Sequence, residues 1–121
     1  MRGVEWIFSG VLAIVFLVVG ITKAFRYGLA RKAFAWVPDL PEPLVRFIGI
    51  VEILGALGLV VPVATGMYAW LTPVAALGLG LLMLMAASFH AVRRESDQVF
   101  LNALLLILLG VVAYSRWSLL P

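Results

Sequence analysis

RFIGIVEILGALGLVVP, residues Arg46 to Pro62, is the stretch that decides how the chain folds. It is apolar enough to enter a bilayer, yet it carries one carboxylate, Glu52, near its middle. An isolated charge at that depth costs roughly 2.5 to 3.5 kcal/mol on insertion scales, so the chain must give Glu52 a partner or put its charge to use. Glu52 is the first candidate for a functional or structural polar centre.

The composition around it agrees. Of 121 residues 64 % are hydrophobic and only 12 % charged, whereas soluble domains carry about 25 % charged residues. A membrane-crossing helix needs about 20 mostly apolar residues. Four such stretches occur, at about 6–22, 44–62, 67–91 and 99–115. Their short joins leave no room for a separate soluble unit, so residues 1–121 are expected to form one all-α domain, a four-transmembrane-helix bundle. The first stretch follows Arg2 as a secretory signal would, but Ile21, Thr22, Lys23 and Ala24 offer no small-x-small cleavage site, and it is read as a retained span.

Charge and residue types exclude several chemistries. The basic residues behind the net charge of +3 sit in short clusters beside the spans. They suit topology signals and anionic-lipid contacts in a bilayer rather than a nucleic-acid face. The absence of cysteine removes disulfides, thiolate catalysis and cysteine-bound metal. With one histidine and scattered carboxylates, neither a bis-histidine haem nor a metal site is expected. No nucleophile triad, phosphate loop or catalytic carboxylate pair stands out, so no catalytic residue is assigned. Redox chemistry would have to be borrowed from a diffusible carrier such as a quinone, or from a partner subunit.

Taken in order, span one offers Gly10, Ala13, Gly20 and Ala24 for close helix packing, and Lys23 at its end can snorkel to the headgroups or turn inward to pair. Residues 25–43 mix Arg26, Arg31 and Lys32 with aromatics and end in Pro38, Pro41 and Pro43. At 100° per residue Phe25, Leu29, Ala33 and Trp36 share one side, which predicts a short interfacial helix in loop one, followed by a turn holding Asp39 and Glu42. This segment is either a connector anchored in the headgroups or a lid over a cavity, with Trp36 and Asp39 as its cap.

In span two, Gly49, Glu52, Gly55, Ala56 and Leu59 share a face that small residues mark as protein-facing, and Pro62 is expected to end the helix. Residues 63–66 then make a tight hairpin. Span three has Thr72 and Pro73 near its start and Gly80, Met83, Ala87 and His90 on one face; Asn102 lies one turn into span four, which Arg116 and Trp117 close. Trp6, Trp70 and Trp117 fall at one end of an up-down bundle, as an aromatic belt. Loops one and three carry Arg26, Arg31, Lys32, Arg93 and Arg94, with Lys23 adjoining, against Arg2 and Arg116 at the other end. The positive-inside rule then places both loops in the cytoplasm and both termini outside.

Glu52, Lys23, Arg46, His90 and Asn102 are therefore candidates for one polar cluster. Arg46 is roughly 9 Å along the axis from Glu52, so partners from other helices are favoured. Such a cluster serves either as a buried ion pair that fixes helix register, or as a site for a lipid or quinone head group or for proton handling.

Gly20-x-x-Lys23, Trp36-x-Pro38-x-Leu40-Pro41, Gly49-x-x-Glu52-x-x-Gly55-Ala56, Leu59 to Pro62, His90, Asn102 and Arg116 occur in an order and spacing that resembles the DoxX-like family of small four-helix membrane proteins, over nearly the whole chain. The resemblance implies a four-helix membrane fold and is a weaker guide to activity. Relatives in that family are linked to quinone-dependent sulfur oxidation and to oxidative-stress complexes, and a distant one is a receptor-assembly chaperone. Two expectations follow. One is a non-enzymatic accessory or assembly subunit whose bundle holds a lipid-like ligand or client helix near Glu52, alongside a membrane or peripheral protein partner. The other is the membrane subunit of a quinone-linked oxidoreductase. The lack of a cofactor motif favours the first, and the family association favours the second.

Overall fold

A computed structural model describes residues 2–118. The elements in chain order are α1 (Arg2–Phe25), α2 (Tyr27–Ala33), a 3-10 turn (Val37–Asp39), α3 (Glu42–Thr65), α4 (Leu71–Val92) and α5 (Ser96–Ser118). The helices α1, α3, α4 and α5 are each long and apolar enough to cross a bilayer, so the chain is a multi-span membrane protein. Trp6, Trp70 and Trp117 are exposed at one end of this bundle.

These helices are apolar nearly all round, so small and polar residues mark their inward faces better than periodicity does. The main core joins Leu12 and Phe16 of α1, Ala56 and Leu59 of α3, Leu79 and Met83 of α4, and Leu109 and Val112 of α5. Large apolar side chains such as Ile14, Leu54, Leu81 and Ile107 point outward, where lipid would cover them.

The helices associate as two broad pairs, α1 with α3 and α4 with α5, joined mainly through α3 and α4; α1 and α5 touch only narrowly. Glycine sets the first seam. A Cβ on Gly49 would stand 2.6 Å from both Ala24 N and Gly20 O, and one on Gly20 would stand 2.7 Å from Gly49 O, so the two backbones are in direct contact. Gly10, expected to help here, has open space around it. The α3–α4 seam is closest at Gly55, which lies against Leu79, and Gly58, which lies against Ala75. Both are in the half of the bundle nearer the 66–70 turn.

The span limits depart from the sequence reading in several places, most instructively at Pro62. Pro62 does not end α3, which continues to Thr65 and is capped by Gly66 at φ +73°. Proline cannot supply the N–H that would bond the carbonyl four residues back, that of Gly58. Thr72 Oγ1 of α4 donates to Gly58 O at 2.9 Å and takes that place, so the helix tolerates its proline. The hairpin accordingly lies at 66–70 rather than 63–66. The helix α4 starts at Leu71 rather than 67, with Pro73 in its first turns. The helix α5 starts at Ser96 rather than 99, with Asp97 in its first turn.

Loop one does contain a short helix, α2, but with a different buried side. Ala30, Trp36, Val37 and Val45 form a second small core, whereas Phe25, Leu29 and Ala33 are exposed. The backbone leaves helical geometry at Arg26 and again at Phe34. A single helical wheel therefore cannot run from Phe25 to Trp36.

Candidate functional site

The Gly20–Gly49 contact brings the last two turns of α1 against the first half of α3. The helices run antiparallel, so Lys23 lies level with Gly49 and Glu52 level with Gly20, and the two long side chains meet diagonally along the seam. Lys23 Nζ lies 3.0 Å from Glu52 Oε1, with side chains only 8 % and 2 % exposed. The ammonium also lies 5.0 Å from the ring centre of Trp36 and 5.7 Å from that of Phe34. Two aromatic faces from loop one thus cover the pair and add cation–π attraction.

The other end of this roof is held by loop three. Arg94 adopts φ +60°, and Glu95 N–H and Arg94 N–H bond back to His90 O and Ala91 O at 3.0 and 3.1 Å. This is the hydrogen-bond pattern of a Schellman turn, and it folds Glu95 back over the end of α4. Glu95 Oε1 then sits 2.9 Å from His90 Nδ1 and 2.8 Å from Arg93 Nε. The hydrogen bond from His90, with help from Arg93, holds the Glu95 carboxyl below the usual carboxylate range. Arg93 Nη2 reaches on to Asp39 of loop one at 2.6 Å. Trp36 meets His90 edge-on, with ring centres 5.6 Å apart.

A cavity of about 520 Å³ lies under this roof, bounded by Lys23, Glu52, His90 and Asn102 and otherwise almost wholly by apolar side chains. Trp36, Phe34 and Leu40 cover it on the loop-one side. Its walls on α3 and α4 run outward to Phe47, Leu81 and Met85, which are 62 %, 60 % and 61 % exposed, so the cavity opens sideways between those helices toward the hydrocarbon. Asn102, on α5, is buried, and its Nδ2 has no hydrogen-bond partner.

The sequence-derived cluster is thus brought together in part. Lys23, Glu52, His90 and Asn102 share the cavity wall, although only Lys23 and Glu52 form an ion pair with each other. Trp36 caps it, and Asp39 is exposed, tying the cap to loop three. Arg46 does not join the cluster. Its Nε pairs with Glu42 at 2.9 Å and its Nη1 donates to Ala24 O at 2.6 Å, a carbonyl left open at the end of α1. Six residues along α3 take it out of reach of Glu52.

Sequence reasoning passed over two participants. Glu95 gave no signal, because it lies in a short polar join among other charges. Glu5 did give one, since it is a carboxylate at the head of an apolar span. It is buried against Arg116, Oε2 to Nη1 3.4 Å, with the guanidinium 4.9 Å from the ring centre of Trp6. Among the described residues no group of three His, Asp or Glu side chains is placed to hold a metal ion.

Against known proteins, a family model described as "DoxX-like family" matches residues 7–112. No curated protein and no solved structure matches the chain.

Proposed function

The chain belongs to the DoxX-like family, and from that premise we propose that it is a non-enzymatic accessory or assembly subunit whose bundle holds a lipid-like amphiphile beside Glu52. The observation that carries this reading is the cavity itself. It has the volume of a small-molecule site, a lateral mouth onto the bilayer, an apolar body, and polar groups confined to its inner wall. An amphiphile entering from the membrane would lay its chain along Phe47, Leu81 and Met85 and bring its head to Lys23, Glu52 and Asn102.

A second reading makes the amphiphile a quinone and the protein the membrane subunit of a quinone-linked oxidoreductase. It is favoured by one observation, that His90 and Glu52, both able to exchange protons, line the same cavity. In either case loops one and three are assigned to the cytoplasm. That assignment rests on the excess of Lys and Arg in those two loops.

The deciding experiment is mass spectrometry of small molecules retained by the protein purified in native lipid discs, with Gly78→Trp alongside. Gly78 lines the cavity and has open space where a side chain would start, so tryptophan there fills the mouth. A specific amphiphile held by the wild type and lost from the variant is the expected result, and its identity separates the two readings. Identical bulk lipid in both would overturn the proposal.

A further inference from the structure

Building on the cavity reading above, we infer that the head group held there is electrically neutral and presents a hydrogen-bond acceptor oxygen, such as the carbonyl of an ester, amide or ketone, to the Asn102 amide. The charges in the cavity are already spent on each other. Lys23 and Glu52 stand 3.0 Å apart with both side chains buried. An anionic head could gain Lys23 only by drawing it from Glu52, and a cationic head could gain Glu52 only by displacing Lys23. Either leaves a buried charge without its partner, the strongly unfavourable case. His90 is committed as well, with Nδ1 held on Glu95 at 2.9 Å.

Two buried polar atoms of the cavity-lining residues have no hydrogen-bond partner: Glu52 Oε1, whose charge Lys23 offsets at 3.0 Å, and Asn102 Nδ2, which has no partner of any kind. Asn102 is 7 % exposed and its Nδ2 is without any hydrogen-bond partner, although buried polar groups are almost always satisfied. An amide nitrogen is a donor only, so the missing group is an oxygen or nitrogen with a free lone pair. The terminal amide torsion is soft, and rotating it turns Nδ2 toward the cavity that Asn102 lines. Apart from Gln98 the rest of the surface there is apolar, which suits a body of hydrocarbon or rings.

A competition experiment tests this. The full chain in mild detergent is incubated with an equimolar mixture of monooleoylglycerol, oleyl phosphate and oleyl trimethylammonium, which share one chain and differ in head charge. The amount of each retained is read by native mass spectrometry, with Gly78→Trp as the measure of non-specific adhesion. The neutral ester should be retained over both charged probes by about tenfold or more, and Asn102→Leu should lower its retention by a similar factor. Asn102→Ala serves the same purpose if the leucine variant does not fold. Retention of either charged probe at or above that of the ester overturns the inference, as does an unchanged Asn102 variant; both outcomes leave the cavity reading standing. If the wild type retains none of the three above the Gly78→Trp level, the cavity reading fails and the inference with it.

Discussion

Lys23 Nζ and Glu52 Oε1 stand 3.0 Å apart across the α1–α3 seam, and the pair has almost no contact with solvent. Removing one member leaves the other charge buried alone, at a cost of about 3–5 kcal/mol. Lys23→Met and Glu52→Gln should each lower stability on that scale in denaturing-detergent titrations. The double variant Lys23→Met/Glu52→Gln should lose much less than the two single losses combined. Additive losses would show that the two residues do not act as a pair.

The same seam depends on two backbones in contact. Gly49→Ala places a methyl 2.6 Å from Ala24 N and Gly20 O, and overpacking of this kind costs about 1–3 kcal/mol. Gly110→Ala, where nothing stands within 4 Å, should instead gain up to about 1 kcal/mol from helix propensity. Opposite shifts in melting temperature are expected, and equal shifts would contradict the packing described.

Much of this was legible beforehand, and the physical reasons are specific. A carboxylate in an apolar stretch must be accounted for, so Glu52 declared itself, and the small residues around it declared a helix seam. Span limits were legible only to within a few residues, because Pro62 reads as a terminator until Thr72, ten residues on and in another helix, is seen to satisfy Gly58. The partner of Glu52 could be narrowed but not chosen, since Lys23 and Arg46 are both basic and approach the same end of the bundle. Which one turns inward depends on the Gly20–Gly49 approach and on the open carbonyl of Ala24 that takes Arg46 away. Glu95 was invisible because its role depends on the turn at Arg94.

Thr72→Val keeps the shape of the side chain and removes its hydroxyl, leaving Gly58 O without its donor. A loss of about 1 kcal/mol is expected, in line with a single hydrogen bond. In a Pro62→Ala background, where the helix supplies its own N–H, the same change should cost little. Equal losses in both backgrounds would rule out the compensation.

The Glu95 carboxyl, in loop three between the spans, is held below its ordinary range by His90 and then Arg93. Its folded-state value is depressed, so the stability it lends is present above the unfolded value of about 4.3 and is lost as pH falls through the lower folded one. Emission from Trp36, whose ring meets His90, should report a transition below about pH 4.3 that Glu95→Gln removes. An identical acid profile in that variant would place the transition elsewhere.

Asn102→Leu replaces an unsatisfied buried amide by an apolar group of similar size. With the cavity emptied of ligand, the variant should be more stable than the wild type by about 1–3 kcal/mol in thermal or detergent unfolding. A less stable variant would mean that Asn102 is satisfied in the empty protein.

The Thr72 hydroxyl on Gly58 O also bears on the order in which this sequence could have been assembled. A proline arriving at position 62 would be tolerated only where threonine already stood at 72, whereas a lineage that loses the proline first makes the hydroxyl dispensable and frees that position to drift. The reverse order passes through an intermediate with an orphaned carbonyl. Among descendants of a common ancestor, Pro62 without a hydroxyl at 72 should accordingly be the rare combination of the four, and that asymmetry can be counted without purifying any protein.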